Sequence, residues 1–540
     1  MLVDLLAPTP HGPACALFGC YDSGMTALGL LVEASQRVAA SSKRGDKQRI
    51  LSATLRACDG ADRGLAALYL TGAVRQPKLF VGHAQLPRLR GLASAQTSTL
   101  SVRALDAALQ GVAETGGKGS SARRMALLEA LWTRATSAEQ RFIVGLMLGE
   151  LRQGALQSVV LDAAAAAAEV SPALLRRAFM LSGDLSEVVQ LAFEGADAAL
   201  GSVSLEVFRP VLPMLAEPCS DVQSALAQLP AAAFEYKLDG ARVQVHRRGD
   251  EVRVYSRAGN EVTAAVPEVV ELVRGFAEEA LVLDGEVIAL RADGRPFPFQ
   301  ETMRRFGRKL NVEALRRSLP LSVFFFDCLY HAGRSLLDAP TSARIVCLEA
   351  VAPWSARIPR LVTQDRDAAE SFVASALAAG HEGVMAKACD APYAAGKRGA
   401  NWLKIKRAHT LDLVVLAAEW GSGRRQGSLS NLHLGALDAQ TGRFVMLGKT
   451  FKGLTDELLQ FQTRALQERE THRDHYTVYV RPELVVEIAV SDIQKSSRYP
   501  AGLALRLARV KRYRPDKSAE QASTLAQVRS LYDLYASPTT

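Results

Sequence analysis

The segment Glu235-Tyr236-Lys237-Leu238-Asp239-Gly240-Ala241-Arg242 sets a lysine beside an acidic turn in the order K-x-D-G-x-R, with apolar, strand-like sequence on both sides. A lysine so placed suits attack on a nucleotide α-phosphate, giving a covalent lysyl-nucleotide. An amine attacks only when neutral, so this reading requires positive charge or burial nearby to pull its pKa down. The tetrad alone says little. Ordinary residue frequencies put K-x-D-G in roughly one chain in ten of this length, and a lysine in a turn is most often a surface lysine. Arg242, five residues on across the Asp239-Gly240 turn, is placed to hold a ribose hydroxyl or a phosphate.

Further candidates follow in order along the chain. Arg257 in Ser256-Arg257-Ala258-Gly259-Asn260 precedes a glycine turn and can point at a phosphate. Leu283-Asp284-Gly285-Glu286 offers two carboxylates beside what reads as a tight turn. Glu286 suits a ribose or a hydrated metal ion, and Asp284 suits the turn itself. Phe324-Phe325-Phe326-Asp327 reads as an apolar strand ending in an acid, and Phe326 offers a flat face to a purine. Glu382, in Glu382-Gly383-Val384-Met385-Ala386-Lys387, adds a hard oxygen ligand of the kind Mg²⁺ takes together with nucleotide phosphates. In Trp402-Leu403-Lys404-Ile405-Lys406-Arg407 a period of two puts Lys404 and Lys406 on one face. Two ammonium groups side by side repel unless an anion lies between them, and a triphosphate is such an anion. The same charges are expected to depress the pKa of Lys237 and to stabilise charge at the α-phosphate. The basic run Arg506 to Lys517 closes the set; a run of this kind is commonly a solvated or DNA-binding face, and its catalytic use would be to orient departing pyrophosphate.

Strands must hold most of these side chains. Residues 1–205 read as nearly all helix, with a helix start at Ser171-Pro172 and an alanine-rich segment at Ala163 to Ala168. Ser41 to Lys47 reads as a charged loop and Thr115 to Ser121 as a flexible one. Past Phe208 come short alternating runs bounded by glycine and aspartate: Ala241–His246, Val252–Tyr255, Leu281–Leu290, Ser322–Leu329, Glu382–Ala388 and Asn401–Arg407. They predict an α+β domain over 206–408, with a helix from Pro267 to Glu279. From 409 to 540, strands at Leu413–Ala418, Phe444–Leu447, Thr477–Val480 and Leu484–Val490 surround one helix at Thr455–Arg469. Several short strands with one helix suit a small β-barrel such as an OB-fold.

Composition narrows the classes. The 540 residues are 48% hydrophobic, enough for several domain cores. The net charge of +9 fits a polyanionic partner, and basic residues concentrate between Lys495 and Arg514. Seven cysteines at 15, 20, 58, 219, 328, 347 and 389 form no C-x-x-C, which argues against a disulfide framework or a cysteine zinc site and for a reducing cytosol. Met1 to Pro8 lacks the basic start of a secretory leader, and no uncharged apolar run is long enough to predict a membrane span. There is no G-x-x-x-x-G-K-[ST] phosphate loop, no H-E-x-x-H and no zinc spacing.

Seven segments in this order resemble the motifs of the ATP-dependent DNA ligases: K-L-D-G-A-R (I), S-R-A-G-N (Ia), L-D-G-E (III), F-F-D-C-L-Y (IIIa), E-G-V-M-A-K (IV), N-W-L-K-I-K-R (V) and R-L-A-R-V-K-R-Y-R-P-D-K (VI). The likeness runs nearly end to end. It extends to Arg141–Gly154 in the helical region and to Glu487–Ser497 near the C-terminus, and is strongest to bacterial accessory ligases of the archaeal and eukaryotic replicative type. It implies a multidomain enzyme: an all-α DNA-binding domain (1–205), an α+β nucleotidyltransferase or adenylation domain (206–408) and a β-barrel OB-fold domain (409–540). By the same likeness Lys237 would be the adenylated lysine, assisted by Lys404 and Lys406. Glu235, Arg242, Arg257, Glu286, Phe326, Arg398, Lys404, Arg512 and Lys517 would bind ATP, with Arg514 in the same motif. Glu286 and Glu382 would place Mg²⁺. Motif VI departs from the usual R-F-P-R in Arg506-Leu507-Ala508-Arg509, which touches the local packing. The implied partner is nicked duplex DNA, encircled by a monomeric, cytoplasmic enzyme associated with the nucleoid. Competing readings are an RNA ligase or capping-type nucleotidyltransferase, and a non-catalytic DNA-binding or end-bridging protein.

Overall fold

A computed structural model describes residues 24–536, apart from 77, 83–84, 152, 155–156, 230, 308–310, 395, 397, 407–408 and 423–424. The Met1 to Pro8 stretch read for a leader, and Cys15 and Cys20, lie outside the described residues. The chain divides into two units, residues 1–204 and 205–540.

Among its described residues the first unit holds ten α-helices, from Leu28–Ala40 to Leu185–Ser202. Local signals start and stop them. Thr136 and Glu139 form a reciprocal capping box at the head of Ser137–Leu148, and Gly149, at φ 66°, ends that helix in the left-handed region. Ser171 caps Pro172–Ser182, as the sequence predicts. In the alanine-rich helix Gln157–Ala168, Ala163, Ala164, Ala165 and Ala167 are buried, so small side chains let its neighbours approach closely. The charged segment read as a loop at Ser41–Lys47 differs: from Arg44 it is already helix, Arg44–Ala57. Tertiary partners absorb its charge. Arg44 Nη2 meets Asp162 Oδ2 at 2.8 Å, and Lys47 Nζ donates to the carbonyls of Gln153 and Gly154.

The second unit contains two five-stranded sheets followed by a larger β system. In chain order the strands of the pair are β1 (Leu215–Cys219), β2 (Ala232–Tyr236), β3 (Ala241–Arg248), β4 (Glu251–Ser256), β5 (Ala280–Ala289), β6 (Leu321–His331), β7 (Arg334–Ser335), β8 (Arg360–Thr363), β9 (Gly383–Ala388) and β10 (Arg398–Lys406). One sheet has the order β1-β10-β9-β2-β8, the other β4-β3-β5-β6-β7. The chain crosses from the first to the second at Lys237-Leu238-Asp239-Gly240. Only glycine fits at the end of that crossing, because a Cβ on Gly240 would drive into the Val287 carbonyl.

Alternation sets which face each strand buries. Val243, Val245, Leu283, Val287, Val323 and Phe325 enter one core, and Phe234, Val384, Ala386, Leu403 and Ile405 another. Two sequence expectations change here. Leu283-Asp284-Gly285-Glu286 is the middle of β5 and not a turn; Gly285 serves close strand approach, since a Cβ there would press on Phe325 and the Phe324 carbonyl. Asp327 lies mid-strand in β6, buried, and pairs with buried Arg344 through Nε at 2.7 Å.

The remaining strands are β11 (His409–Trp420), β12 (Leu429–Asp438), β13 (Arg443–Thr450), β14 (Glu470–Arg473), β15 (Thr477–Val480), β16 (Val485–Val490), β17 (Asp492–Lys495), β18 (Leu503–Arg506) and β19 (Arg509–Tyr513). Long β11 pairs with β12, β15 and β16 in a seven-stranded sheet, and β17–β18 form a separate ribbon. The helix Asp456–Gln467, capped by Thr455, packs against this core, and a C-terminal helix Leu525–Ala536 joins it. Among the described residues no helix is long and apolar enough to cross a membrane.

Candidate active site

A cleft of about 590 Å³ opens where the two five-stranded sheets meet, and the β17–β19 region reaches its rim. Lys237 stands at the crossing between the sheets. Its backbone continues the pairing of β2 with β9: its N–H donates to Gly383 O at 2.9 Å, and Glu382 N–H donates to its carbonyl at 3.2 Å. These bonds force the two side chains together, and Lys237 Nζ lies 2.5 Å from Glu382 Oε2.

That pairing corrects one sequence expectation. Burial alone would lower the proton affinity of Lys237, but the Glu382 carboxylate outweighs it and holds the lysine pKa above its ordinary value. Burial works against the Glu382 charge as well, yet Lys237 and Lys406 together hold that carboxyl below the usual range. Lys404 and Lys406 do not reverse this. Lys406 Nζ is itself engaged, donating to Ser491 Oγ at 2.6 Å. Both lysines line the cleft while Leu403 and Ile405 point into the core, as a period of two predicts.

Glu286 faces Lys237 from β5, directly across from Arg242 on β3, and its Oε1 accepts from Gly240 N–H at 3.2 Å. Burial pushes its carboxyl up to about 7; Lys237 and Arg242 pull it down, and Asp239 and Asp284 push it further up. Glu286 and Glu382 are hard oxygen donors on the same cleft, which fits Mg²⁺ bound jointly with phosphate oxygens. Among the described residues no group of three or more acids, histidines or cysteines could hold a metal by itself.

Arg242 is a buried scaffold at the edge of the cleft. It forks onto Asp284 at 3.0 and 2.6 Å, donates to Met214 O at 2.7 Å and meets the Tyr393 hydroxyl at 3.0 Å. Tyr393 also donates to Asp284 at 2.7 Å. Phe326 lines the cleft, edge-on to Trp402 at 6.1 Å, and Arg257 sits exposed at the rim. Glu235 is almost wholly buried. Its Oε1 accepts from Arg360 at 2.6 and 2.8 Å and its Oε2 from Lys387 at 2.6 Å. The side chain of Arg398 lies outside the described residues.

Two of the predicted ATP ligands stand elsewhere in this structure. Arg512 pairs with Glu487 at 2.8 Å and Lys517 with Asp412 at 2.6 Å, and Arg514 forks onto Asp412 and Asp516. They lie on or just beyond β19 rather than along the cleft. The motif VI residues that do reach it are Leu507 and Arg506, the latter at the end of β18 with its guanidinium forked onto Asp239 of the K-x-D-G turn. Sequence reasoning quoted Arg506 but gave it no role. It also passed over Arg360, Lys387, Tyr393 and Trp402. Lys387 had a visible signal, a lysine in the same E-G-V-M-A-K segment as Glu382; for Arg360 the only signal is the cross-strand register Glu235↔Arg360.

Comparisons with known proteins agree with this geometry. Residues 213–406 match the family described as the ATP dependent DNA ligase domain, 425–517 the ATP dependent DNA ligase C terminal region, and 87–165 the DNA ligase N terminus. A "Probable DNA ligase" of Anaeromyxobacter sp. (strain Fw109-5) is 54% identical over 93% of this chain and 97% of its own. A "Probable DNA ligase" of Sorangium cellulosum (strain So ce56) is 52% identical over 93% of this chain and 94% of its own. In fold, the solved structure titled "Pmar-Lig_PreS3" aligns with 90% of this chain and 99% of its own, at a TM-score of 0.59 and 19% identity. With relatives more than half identical along nearly its whole length, the chain belongs to the ATP-dependent DNA ligase family.

Proposed function

We propose that this enzyme seals nicks in duplex DNA in three displacements at phosphorus. In the first, the Lys237 Nζ lone pair forms a bond to the α-phosphorus of ATP while the bond to the bridging oxygen breaks and pyrophosphate leaves. The 5′-phosphate at the nick then displaces Lys237 and takes the AMP. Last, the 3′-hydroxyl loses its proton, attacks that phosphate and expels AMP. The carrying observation is Lys237 held on Glu382 at the floor of a cleft that also gathers Glu286, Arg242, Phe326, Lys404 and Lys406.

Each residue has a task. Glu382 positions Nζ and keeps it protonated; neutralising that carboxylate as nucleotide enters frees the amine. Lys404 and Lys406 meet the triphosphate charge and stabilise what develops at phosphorus. Phe326 offers its face to the adenine, Glu235 its edge-reading carboxylate, and Arg242, Arg257 and Glu286 meet ribose and phosphate. Mg²⁺ held by Glu286 and Glu382 with phosphate oxygens would supply charge neutralisation at phosphorus. Arg506, clamped on Asp239, represents the barrel closed on the core. Arg512 and Lys517 would act only after a rearrangement that brings β19 toward the triphosphate. We take residues 1–205 as an all-α DNA-binding domain, 206–408 as the adenylation domain and 409–540 as an OB-fold, encircling DNA as a cytoplasmic, nucleoid-associated monomer.

The test is transfer of label from [α-³²P]ATP to AMP-free protein with Mg²⁺, followed by a chase with nicked DNA. Label that forms and then leaves with appearance of a sealed strand supports the reading. Protein that binds DNA but takes no label returns the non-catalytic end-bridging alternative, and sealing confined to RNA nicks returns the RNA ligase.

A further inference from the structure

Two buried cations tie the two purine-facing elements of the cleft to one another. Arg360, at the start of β8, is the direct cross-strand neighbour of Glu235 on β2. Its guanidinium gives Nε and Nη2 to Glu235 Oε1 and, from the same Nη2, a 3.0 Å bond to the carbonyl of Phe326 on β6 in the other sheet. Lys387 on β9 repeats the bridge from the opposite side. Its Nζ lies 2.6 Å from Glu235 Oε2 and 3.3 Å from the same Phe326 carbonyl. That ammonium sits against the Phe326 and Trp402 rings, 4.5 and 4.3 Å from their centroids. Burial lowers its proton affinity, and Glu235 and Asp327 counter that. Glu235, Phe326 and Lys387 line the cleft, whereas Arg360 stands behind it.

We infer that Arg360 and Lys387 are positioning residues that set the enzyme's preference for adenine over guanine, by locking the Glu235 carboxylate and the Phe326 ring into one frame. This rests on the reading of the cleft as an ATP site. Both Glu235 oxygens accept from these cations, so the edge fixed toward the cleft is an acceptor edge. An acceptor-only edge takes the exocyclic amine of adenine and repels the exocyclic carbonyl of guanine. Removing either cation leaves a buried carboxylate with a single partner. The carboxylate is then free to rotate out of the frame in which it meets the adenine amine, and the discrimination that depends on that fixed edge is lost. The Phe326 backbone also loses one of its two tethers, so ring and edge no longer move together.

The experiment measures the rate of lysyl-nucleotide formation over a range of [α-³²P]ATP and [α-³²P]GTP for the wild type, Arg360→Met, Lys387→Met and Arg360→Lys. Each Met variant is expected to lose roughly tenfold or more of the ATP-over-GTP preference. The loss should come mainly through a raised KM for ATP, with the saturated rate changed less. Arg360→Lys, a point charge in place of a fork, should retain part of the preference. If a Met variant does not fold, Arg360→Lys carries the same test. An unchanged ATP-to-GTP ratio in the folded variants overturns the inference and leaves these cations as fold supports. A wild type that takes label from neither nucleotide overturns the ATP reading instead.

Discussion

Strands β2 and β9, with the residues that flank their ends, present two lysine–glutamate pairs to one cleft, and the pairs behave oppositely. Lys237–Glu382 is partly open, with side chains 23% and 16% exposed; Lys387–Glu235 is closed, at 1% and 2%. Glu382 has Lys237 as its own partner, so the lysine gains proton affinity. Glu235 shares its charge with Arg360, burial dominates, and Lys387 loses proton affinity. On the proposed reading, the lysine with the weakened proton hold is not the one that attacks phosphorus. Two aromatic rings and a carbonyl pack around its ammonium. In that proposal access and geometry select the amine, and Lys237 gives up its proton when its partner carboxylate is neutralised.

The sharpest way to break this contrast is Lys237→Ala. Covalent labelling by ATP should fall to background while thermal unfolding stays close to wild type; labelling that persists would move the nucleophile, with Lys387 the first residue to examine. Lys387→Met should do the converse. It strands one arm of the buried Glu235 charge, so urea unfolding should report a loss of about 3–5 kcal/mol, yet saturating ATP should still label whatever protein is folded. Stability equal to wild type would mean that the closed pair is not structural.

Glu382→Gln probes the open pair. It removes the carboxylate that keeps Lys237 protonated, so the rise of labelling with pH should move to lower pH. The rate at neutral pH should fall about 10²-fold through lost positioning. A pH profile superimposable on wild type would sink the proposed control of the lysine by Glu382. The smallest effect belongs to Glu286, whose carboxyl is pushed up to about 7 in the folded protein. Its folded pKa lies above the unfolded value near 4.3, so the folded state holds this proton more tightly. Its stabilising share is complete below about pH 4.3 and disappears as pH rises toward 7. Wild type without nucleotide should thus lose on the order of 2 kcal/mol between pH 4.5 and 7.5 relative to Glu286→Gln. Parallel curves in urea titrations at the two pH values would argue that Glu286 is already solvated.

Much of the site is legible in the sequence. K-x-D-G, E-G-V-M-A-K and the alternating lysines of β10 reach one cleft because period-two strands fix the facing of each side chain, and strand existence follows from local apolar alternation. The helical unit and the capped helices at Pro172 and Asp456 were equally local. What failed was local reasoning applied to partners. Asp284 and Asp327 read as turn or strand-end acids because acids are rare inside strands; both are buried mid-strand, satisfied by Arg242 and Arg344 from distant sequence. Ser41–Lys47 read as loop because its charges had no visible counterpart, and Asp162 and the Gln153–Gly154 carbonyls supply it.

By itself the chain determined which groups are on offer: a lysine in the K-x-D-G turn, carboxylates in the strands that follow, paired ammonium groups on β10, and the order in which strands deliver them. Only the tertiary structure decided how each charge is spent. It set Lys237 against Glu382, shared Glu235 between Arg360 and Lys387, and brought Arg506 of β18 onto Asp239, 267 residues away in sequence. The reason is physical. A side chain's identity and its facing on a strand are local properties, whereas proton affinity and reactivity depend on burial and on charges a few ångströms away, which only the packing of distant segments supplies.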